Sequence, residues 1–513
     1  MRAILAAIAA LLCGVAAPAA ADWHEARTRH FLIYSQDSDA KLRKFAERLE
    51  SVHALMLMAT GVREEAHPYP VRVYVVAGVK TVQSYMEKPD SNVAGFYRSL
   101  AAGPIAITPQ NTGGDDSSFS PQVVLFHEYA HHFMLQFFPS AYPAWYVEGW
   151  AELVSTASFE KPGVISYGKV ADHRRYELDL SSFHVKASRL VSLRQKDLGD
   201  EERARFYGSS WLLTHYLTFD PARHGQLAAY LTAFNAGASP SEAAKVFGDP
   251  RGLDRDLDKY LEAASFTYRQ PPIPPEIARG VTIRPLAPDE AAMLPYALEF
   301  TKTMKPDAAK AFAARVEAAA AAFPDGAAAQ QLAAQVDLDA GLLDPAEREA
   351  ARAVALAPQS ARAHYYLGAV RLERAKSAEG DKRTALIAAG KSEVLAANQL
   401  DANDPLPLLA FYESFGIAQQ PPSDAGRAAL ARAVEIVPQD GGARMTYVYD
   451  LIMHGQKQTA ARMLKPLAYD PHGGSGSARA LKMLDILEGR ATGDPLNVQV
   501  TEESDTPKPK SGN

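Results

Sequence analysis

The spacing of apolar and polar residues divides the chain into two regions. Between residues 23 and 270, short apolar runs stand among amphipathic segments. Runs rich in β-branched and aromatic residues are typical of strands, whereas apolar positions recurring every three or four residues are typical of helices. The runs are Phe31–Tyr34, Val71–Val76 and Ile105–Ile107, and the clearest helical stripe is Leu42, Phe45, Leu49, Val52 and Met56. This region predicts an α+β domain.

A proline-rich segment separates this domain from the rest of the chain. Pro271–Pro275 reads Pro-Pro-Ile-Pro-Pro, which interrupts any helix, and we assign residues 271–299 to a linker. Residues 300–490 are rich in alanine and helical in pattern. Residues 491–513 are polar and charged, and their composition predicts a disordered tail.

The alanine-rich region is periodic. Pro324, Pro358, Pro438 and Pro471 each follow a helical pattern, at steps of 34, 80 and 33 residues, and the middle step is two periods with an insertion of 12. This resembles the tetratricopeptide repeat (TPR), whose 34-residue unit is a pair of helices. The resemblance implies an all-α helical solenoid that binds a protein partner. An alanine-rich bundle without repeats is the alternative.

The first 21 residues have the composition of a secretory signal peptide. Arg2 precedes an apolar run from Ala3 to Val15, and Ala19–Ala21 supplies small residues for cleavage. A membrane anchor is the alternative, although the run is short for a span of about 20 residues. Cys13 is the only cysteine and lies in this segment, so the mature chain has no disulfide. We expect a periplasmic or secreted protein.

Length and charge limit the classes of function. A chain of 513 residues is too long for one core, so a few domains are expected. The formal net charge is −6, and the absence of a basic stripe argues against nucleic-acid binding. After residue 22, no apolar run in the sequence reaches the length of a membrane span.

Two histidines stand four residues apart in the sequence HEYAH, which begins at His127 and ends at His131. Positions i and i+4 share a helix face, so both imidazoles can reach one ion while Glu128 stays off the metal. Glu148, in the sequence WYVEGWAE, is the candidate third ligand, and Glu152 is its rival. Three nitrogen or oxygen ligands with one open position are typical of catalytic zinc sites. The sequence therefore predicts Zn²⁺ as the cofactor.

The residues around this motif predict a buried helix. Ser120 and Pro121 supply an N-cap and a first-turn proline, and many of the residues that follow are apolar. Burying two imidazoles and a carboxylate without partners is unfavourable. A metal that satisfies them is therefore favoured over the alternative of core histidines.

The motif resembles that of the gluzincin metallopeptidases, in which HExxH is followed by a glutamate in a Trp-x-x-Glu-Gly-x-Ala context. The chain is similar to bacterial exported peptidase-MA-like proteins that carry tetratricopeptide repeats behind the protease domain. The resemblance implies a thermolysin-like fold for residues 22–270. It also implies that His127, His131 and Glu148 are the zinc ligands and that Glu128 is the general base.

The same resemblance implies supporting roles. An acid four residues after the ligand glutamate commonly binds the other nitrogen of the first histidine, and the resemblance implies this role for Glu152. Gluzincins stabilise negative charge on the substrate oxygen with a tyrosine or histidine outside the metal helix. Tyr207 is the candidate for this role and His215 is the runner-up. The alternative for Tyr207 is a core aromatic residue without a catalytic role. His132 is expected at the helix surface or behind the ligands, and the short ligand gap predicts a tight loop through Pro139–Pro143.

These features predict an exported zinc peptidase, in which Glu128 takes a proton from zinc-activated water and delivers it to the leaving amine. The partners are a peptide or protein substrate and a protein bound to the repeats. An extended substrate would lie on an edge strand formed from Ala94–Tyr97 through Ile105–Ile107. The absence of a Gly-x-Met-Glu-Asn segment favours an endopeptidase. The alternatives are a binding scaffold with a structural protease-like domain and a zinc hydrolase of non-peptide bonds.

Overall fold

The structure is a computed structural model that describes residues 23–64, 69–86, 95–110, 120–178, 184–192, 198–262 and 265–489. The predicted signal peptide with Cys13 and the predicted tail at 491–513 lie outside the described residues. Within the described part, no helix has both the length and the apolar character needed to cross a membrane.

A mixed sheet of six strands forms in the described part of the chain. The strands are β1 (His24–Arg27), β2 (Phe31–Ser35), β3 (Val71–Val76), β4 (Phe96–Arg98), β5 (Ile105–Pro109) and β6 (Thr282–Pro285). They lie in the order β4-β5-β3-β2-β1-β6, with β2, β3 and β5 parallel and the other pairings antiparallel. The three predicted runs form β2, β3 and β5. The predicted edge segment contributes β4, while Ala94 lies outside the described residues.

Helices surround this sheet. Those before β6 are α1 (Asp39–Thr60), α2 (Val79–Ser84), α3 (Pro121–Phe137), α4 (Ala144–Ser155), α5 (Arg175–Leu178), α6 (Ala187–Ser192), α7 (Asp200–Arg203), α8 (Phe206–Phe219), α9 (Gln226–Asn235), α10 (Pro240–Ala243), α11 (Pro250–Leu261) and α12 (Glu276–Arg279). The predicted amphipathic stripe forms α1, which buries Leu42, Leu49 and Val52 in the same core as Ile33 of β2 and Phe126 of α3. Helix α3 is therefore held in place by the core that it shares with α1 and the sheet.

The linker prediction for residues 271–299 is wrong in its second half. Residues 282–285 form β6, which pairs with β1, and residues 288–299 form helix α13 (Pro288–Glu299). Leu294 and Leu298 of α13 pack with Ile105 and Ile107 on the other face of the sheet. The prolines at 271–275 do interrupt the helices, but the chain then returns to the sheet because β1 still has an unpaired edge.

The remainder of the described chain is a series of helices in which each packs on the next. These helices are α14 (Pro306–Ala320), α15 (Ala327–Asp339), α16 (Leu343–Leu356), α17 (Ala361–Ser377), α18 (Gly380–Leu400), α19 (Pro405–Ile417), α20 (Asp424–Ile436), α21 (Gly441–Met453), α22 (Lys457–Ala468) and α23 (Gly474–Leu487). The four marker prolines all lie between helices, as predicted. The inserted residues fall where α17 and α18 are long, at 17 and 21 residues against 13 and 14 for α15 and α16.

Small residues determine how closely these helices pack. A Cβ atom on Gly368 of α17 would stand 2.9 Å from the carbonyl oxygen of Gly390 in α18. A larger side chain at either glycine would force the two helices apart. The described region from α14 to α23 is thus a helical solenoid, which we call the repeat region.

Candidate metal centre

Helices α3 and α4 bring the two parts of the motif together. α3 begins as predicted, because the Ser120 side chain accepts a hydrogen bond from the backbone N–H of Val123 and Pro121 is its first residue. His127 and His131 follow one turn apart, and both contact α4 through Glu148.

Residues 138–143 connect α3 to α4 and contain the short loop that the sequence predicted. The backbone N–H of Ala141 donates to Oδ1 of Asn235 in α9 at 2.9 Å, which fixes the turn. On α4, Glu148 and Glu152 lie one turn apart, and both are fully buried. Their carboxylates therefore need partners inside the protein.

Three side-chain atoms form a nearly equilateral triangle. Nε2 of His127 lies 3.1 Å from Nε2 of His131, and Oε2 of Glu148 lies 3.3 Å from the first and 3.5 Å from the second. Ligands that stand about 2.0–2.1 Å from a tetrahedral zinc ion are about 3.3 Å from one another. The three residues therefore fit three corners of a zinc tetrahedron.

The charge around this triangle also suits a cation. Burial alone would raise the pKa of Glu148, but the neighbouring His131 and His127 hold it well below its ordinary value. Burial alone would lower the pKa of His127, but Glu148 and Glu152 raise it to about 10. Within the described residues, Nδ1 of His131 and both oxygens of Glu148 lack an aligned hydrogen bond. A buried, ionised carboxylate beside two imidazoles is a donor set that suits zinc.

Glu152 contacts His127 from the side away from the triangle. Its Oε1 lies 3.4 Å from Nδ1 of His127 and accepts a hydrogen bond from Nη2 of Arg174 at 2.6 Å. Its Oε2 lies 2.5 Å from Nε2 of His173. Both oxygens are thus occupied, and the geometry favours Glu148 over Glu152 as the third ligand. His173 and Arg174 were not predicted, because no motif in the local sequence marks them.

Gly149 allows α8 to approach α4 closely. A Cβ atom at this position would stand 2.1 Å from Oγ1 of Thr214 and 2.4 Å from the carbonyl oxygen of Ser210. The α8 backbone cannot move away without shifting the whole helix. Only glycine therefore fits at position 149. This packing positions the first turn of α8, which carries Tyr207.

Tyr207 lies beside the triangle. Its ring centroid is 6.2 Å from that of His127, and the guanidinium carbon of Arg174 stands 4.7 Å from the centre of its ring. Burial, and then the negative charge of Glu148, raise the pKa of the phenol. Tyr207 is therefore a neutral hydroxyl close to the candidate ligands.

Two other histidines differ from expectation. His215 lies in the core, with Nδ1 2.8 Å from the Tyr260 hydroxyl and Nε2 2.8 Å from the carbonyl oxygen of Gly168, so the runner-up role assigned to it is wrong. His132 is buried, which excludes the helix-surface alternative given for it, and its Nδ1 lies 2.9 Å from the hydroxyl of Tyr97. That contact ties the helix of the triangle to strand β4.

A cleft of about 900 Å³ opens beside the triangle. Glu128, His131 and strand β4 are among the residues that line it. The repeat region also contributes to the lining, through residues that include Gln439 and His472. Neither residue was predicted, because only the docking of the repeat region brings them to the cleft.

No protein-family model matches the chain, and no curated protein matches it. Among solved structures, the chain is similar to that of a thermophilic TPR protein in Thermus thermophilus. The identity is 16%, the match covers 38% of this chain and 97% of that one, and the TM-score is 0.33. So weak a likeness identifies no family, and the description of the solenoid depends on the helices of this chain alone.

Proposed function

We propose that the protein is an exported, zinc-dependent peptidase of the gluzincin type. The observation that supports this most directly is the triangle formed by His127, His131 and Glu148, whose edges match a zinc tetrahedron. His131 of the triangle and Glu128 both line the cleft, so a candidate ligand and a candidate base face the same space.

Each side chain has a defined task in this proposal. When bound, zinc polarises the substrate carbonyl and lowers the pKa of bound water to about 7. Glu128 accepts a proton from the attacking water and passes it to the leaving nitrogen. Tyr207, kept neutral by its raised pKa, donates a hydrogen bond to the developing negative charge on the carbonyl oxygen. Glu152 holds the imidazole of His127 in orientation through Nδ1.

Strand β4 supplies a place for the substrate. Among the described residues it is the last strand of the sheet on its side and pairs with β5 alone, and its residues Phe96–Arg98 line the cleft. An extended peptide can add to such an edge through main-chain hydrogen bonds, which favours protein or peptide substrates over small molecules. The sequence contains no Gly-x-Met-Glu-Asn segment of the kind that holds a free amino terminus in aminopeptidase-N-like enzymes, and we therefore favour endopeptidase action.

The test is the substitution Glu128→Gln. The unaltered chain should bind about one zinc ion and cleave members of a mixed peptide library. The variant should keep the zinc and lose cleavage by at least about 100-fold, since general-base catalysis contributes about 10²–10⁴. Glu201→Gln, on an exposed surface of α7, is the matched control.

Two outcomes would contradict the proposal. Undiminished cleavage by Glu128→Gln would remove this residue from the mechanism. Zinc binding without cleavage of any library member by the unaltered chain would favour a binding scaffold. The export part of the proposal has its own test, since recovery of the uncleaved chain from the cytoplasm would contradict it.

A further inference from the structure

The repeat region docks beside the metal triangle through defined contacts. Nζ of Lys465 on α22 donates to the carbonyl oxygen of Asn235 at 2.6 Å, and the ring of Tyr469 lies 5.2 Å from that of Phe234. Asn235 also accepts the hydrogen bond of Ala141 that fixes the turn between α3 and α4. One residue therefore connects the repeat region to the loop that positions Glu148.

The loop between α22 and α23 extends from this contact to the triangle. Oδ1 of Asp470 accepts a hydrogen bond from the backbone N–H of His472 at 2.8 Å, and the Ser477 hydroxyl donates to the carbonyl oxygen of Asp470 at 3.0 Å. Nε2 of His472 then lies 2.9 Å from Oε1 of Glu148. The loop thus places an imidazole against a carboxylate on another domain.

The two oxygens of Glu148 have different neighbours. Oε2 faces the imidazoles of His127 and His131, whereas Oε1 faces His472. A carboxylate that binds a metal through one oxygen is commonly oriented by a partner on the other, and such partners change metal affinity when they are removed.

We propose that His472 is a positioning residue for Glu148, so that the repeat region completes the metal site. This inference depends on the proposed zinc site but goes beyond it, because it gives the repeat region a part in zinc binding as well as in partner binding. Coupling between two sites is reciprocal. Zinc should therefore strengthen docking of the loop at residues 469–473, and displacement of that loop should weaken zinc binding.

The test is zinc affinity, measured by competition with a chromophoric chelator. His472→Ala should weaken zinc binding by about 10- to 100-fold, the usual effect of removing such a partner. His472→Gln keeps an N–H donor and should recover part of the loss. His454→Ala is the matched control, because His454 lies at the end of α21 in the same region and contacts Asp450 instead.

Hydrogen exchange gives a readout that does not depend on activity. Zinc should slow amide exchange at residues 469–473 in the unaltered chain and have little effect there in His472→Ala. Unchanged zinc affinity in a folded His472→Ala variant would overturn the role of His472 and leave the zinc site standing. Failure of the unaltered chain to bind zinc would instead overturn the proposed function.

A separate observation concerns Gln439, which lies between α20 and α21. Gln439 is 6% exposed and lines the cleft, and neither its amide nitrogen nor its amide oxygen has a hydrogen-bond partner within the described residues. Buried amide groups are nearly always paired. A peptide backbone offers both an acceptor and a donor, so we infer that Gln439 binds the main chain of the substrate from the repeat side.

The substitution Gln439→Met tests this inference because it keeps the size of the side chain and removes its polar atoms. The KM for peptide substrates should rise by about 3- to 10-fold with little change in kcat, as expected for a lost hydrogen bond. The melting temperature of the free protein should stay the same or rise. Gln458→Met, exposed on α22, is the control. An unchanged KM, or a clear fall in melting temperature, would overturn the inference.

Discussion

Two groups of two histidines and one glutamate occur in the described part of the first 270 residues, and their geometry differs. The cleft triad is His127, His131 and Glu148, and the buried triad is His30, His53 and Glu64. In the cleft triad the two rings are nearly perpendicular, at 85°, with centroids 4.7 Å apart. In the buried triad the rings are stacked 3.6 Å apart at 21°. Stacked rings direct their nitrogens side by side, whereas the perpendicular rings converge.

The charges of the buried triad are balanced by its own neighbours. Nδ1 of His30 lies 2.6 Å from Glu50 and its Nε2 lies 3.1 Å from Glu64, which also pairs with Arg29 at 2.9 Å. Nε2 of His53 remains 3.8 Å from Glu64. The same residue types therefore form a closed ion-pair network in one place and a convergent ligand set in the other. Ring orientation and charge balance separate the two cases.

The largest expected effect concerns metal content. His131→Leu should weaken zinc binding by at least about 100-fold, because structural zinc sites with four protein ligands bind with about 10–16 kcal/mol, or roughly 3 kcal/mol for each ligand. His53→Leu should leave one zinc ion per chain. Metal analysis after dialysis measures both. Two zinc ions in the unaltered chain, with one lost in His53→Leu, would show that the buried triad also binds metal.

The buried triad should contribute to the free energy of unfolding rather than to zinc binding. Glu50→Gln removes one carboxylate from His30 and should lower the free energy of unfolding by about 3 kcal/mol. Burial opposes both charges, but the pairing lowers the pKa of Glu50 and raises that of His30. The contribution of Glu50 is present above its ordinary pKa of 4.5 and is lost as pH falls through the lowered value. That of His30 is present below its ordinary pKa of 6.5 and is lost as pH rises through the raised value.

Urea unfolding at several pH values checks this prediction. The difference between the unaltered chain and Glu50→Gln should be largest between pH 4.5 and 6.5 and smaller on either side. Glu201→Gln serves as the control and should show no such window. A difference that does not vary with pH would contradict the assigned ion pair.

Gly149→Ala should disturb the cleft triad through packing. The added Cβ would collide with Ser210 and Thr214 of α8, and such overpacking costs about 1–3 kcal/mol. Gly416→Ala in α19 meets no atom within 4 Å and should be neutral or slightly stabilising. Thermal unfolding distinguishes the two variants. Equal stability of Gly149→Ala and the unaltered chain would mean that α8 can move freely.

The smallest effect is expected in a group of three carboxylates in the repeat region, Glu317, Asp337 and Glu349. Burial, and then the nearby Glu349, raise the pKa of Asp337 well above its ordinary value. The folded chain therefore holds this proton more tightly than the unfolded chain does, and stability falls as pH rises. Asp337→Asn should be more stable than the unaltered chain by about 1 kcal/mol at pH 9 and no different at pH 4. Identical melting profiles at pH 9 would contradict this.

Local patterns in the sequence predicted the central part of the fold. Strands β2, β3 and β5 are apolar runs, and α1 and α3 carry clear helical periods, so nearby residues determine them. Strands β1 and β6 were missed because His24–Arg27 and Thr282–Pro285 are short and largely polar, and β6 joins the sheet by pairing with the distant β1. That pairing is non-local, and the prolines before β6 suggested a linker instead.

Some residues of the candidate site likewise have a local sequence signal, whereas others do not. His127, Glu128 and His131 follow from a helical spacing, and Glu148 follows from a short motif nearby. His173 has no such signal and reaches Glu152 only after the chain has folded. His472 is farther still along the sequence, and its position depends on the docking of the repeat region. Sequence spacing therefore pointed to the candidate ligands but not to the residues that contact Glu148 and Glu152 from elsewhere in the chain.

Strands β1 and β6 pair although they are far apart in the sequence, so β1 is made long before its partner. The carbonyl of Arg27 accepts a hydrogen bond from Thr282, which follows it by 255 residues. A chain that crosses a membrane amino end first must carry β1 with one bare edge until that distant segment arrives. Bare strand edges are templates for aggregation. If the protein is exported as proposed, we expect its export to depend on a holding chaperone, and shortened chains that stop before residue 282 to aggregate.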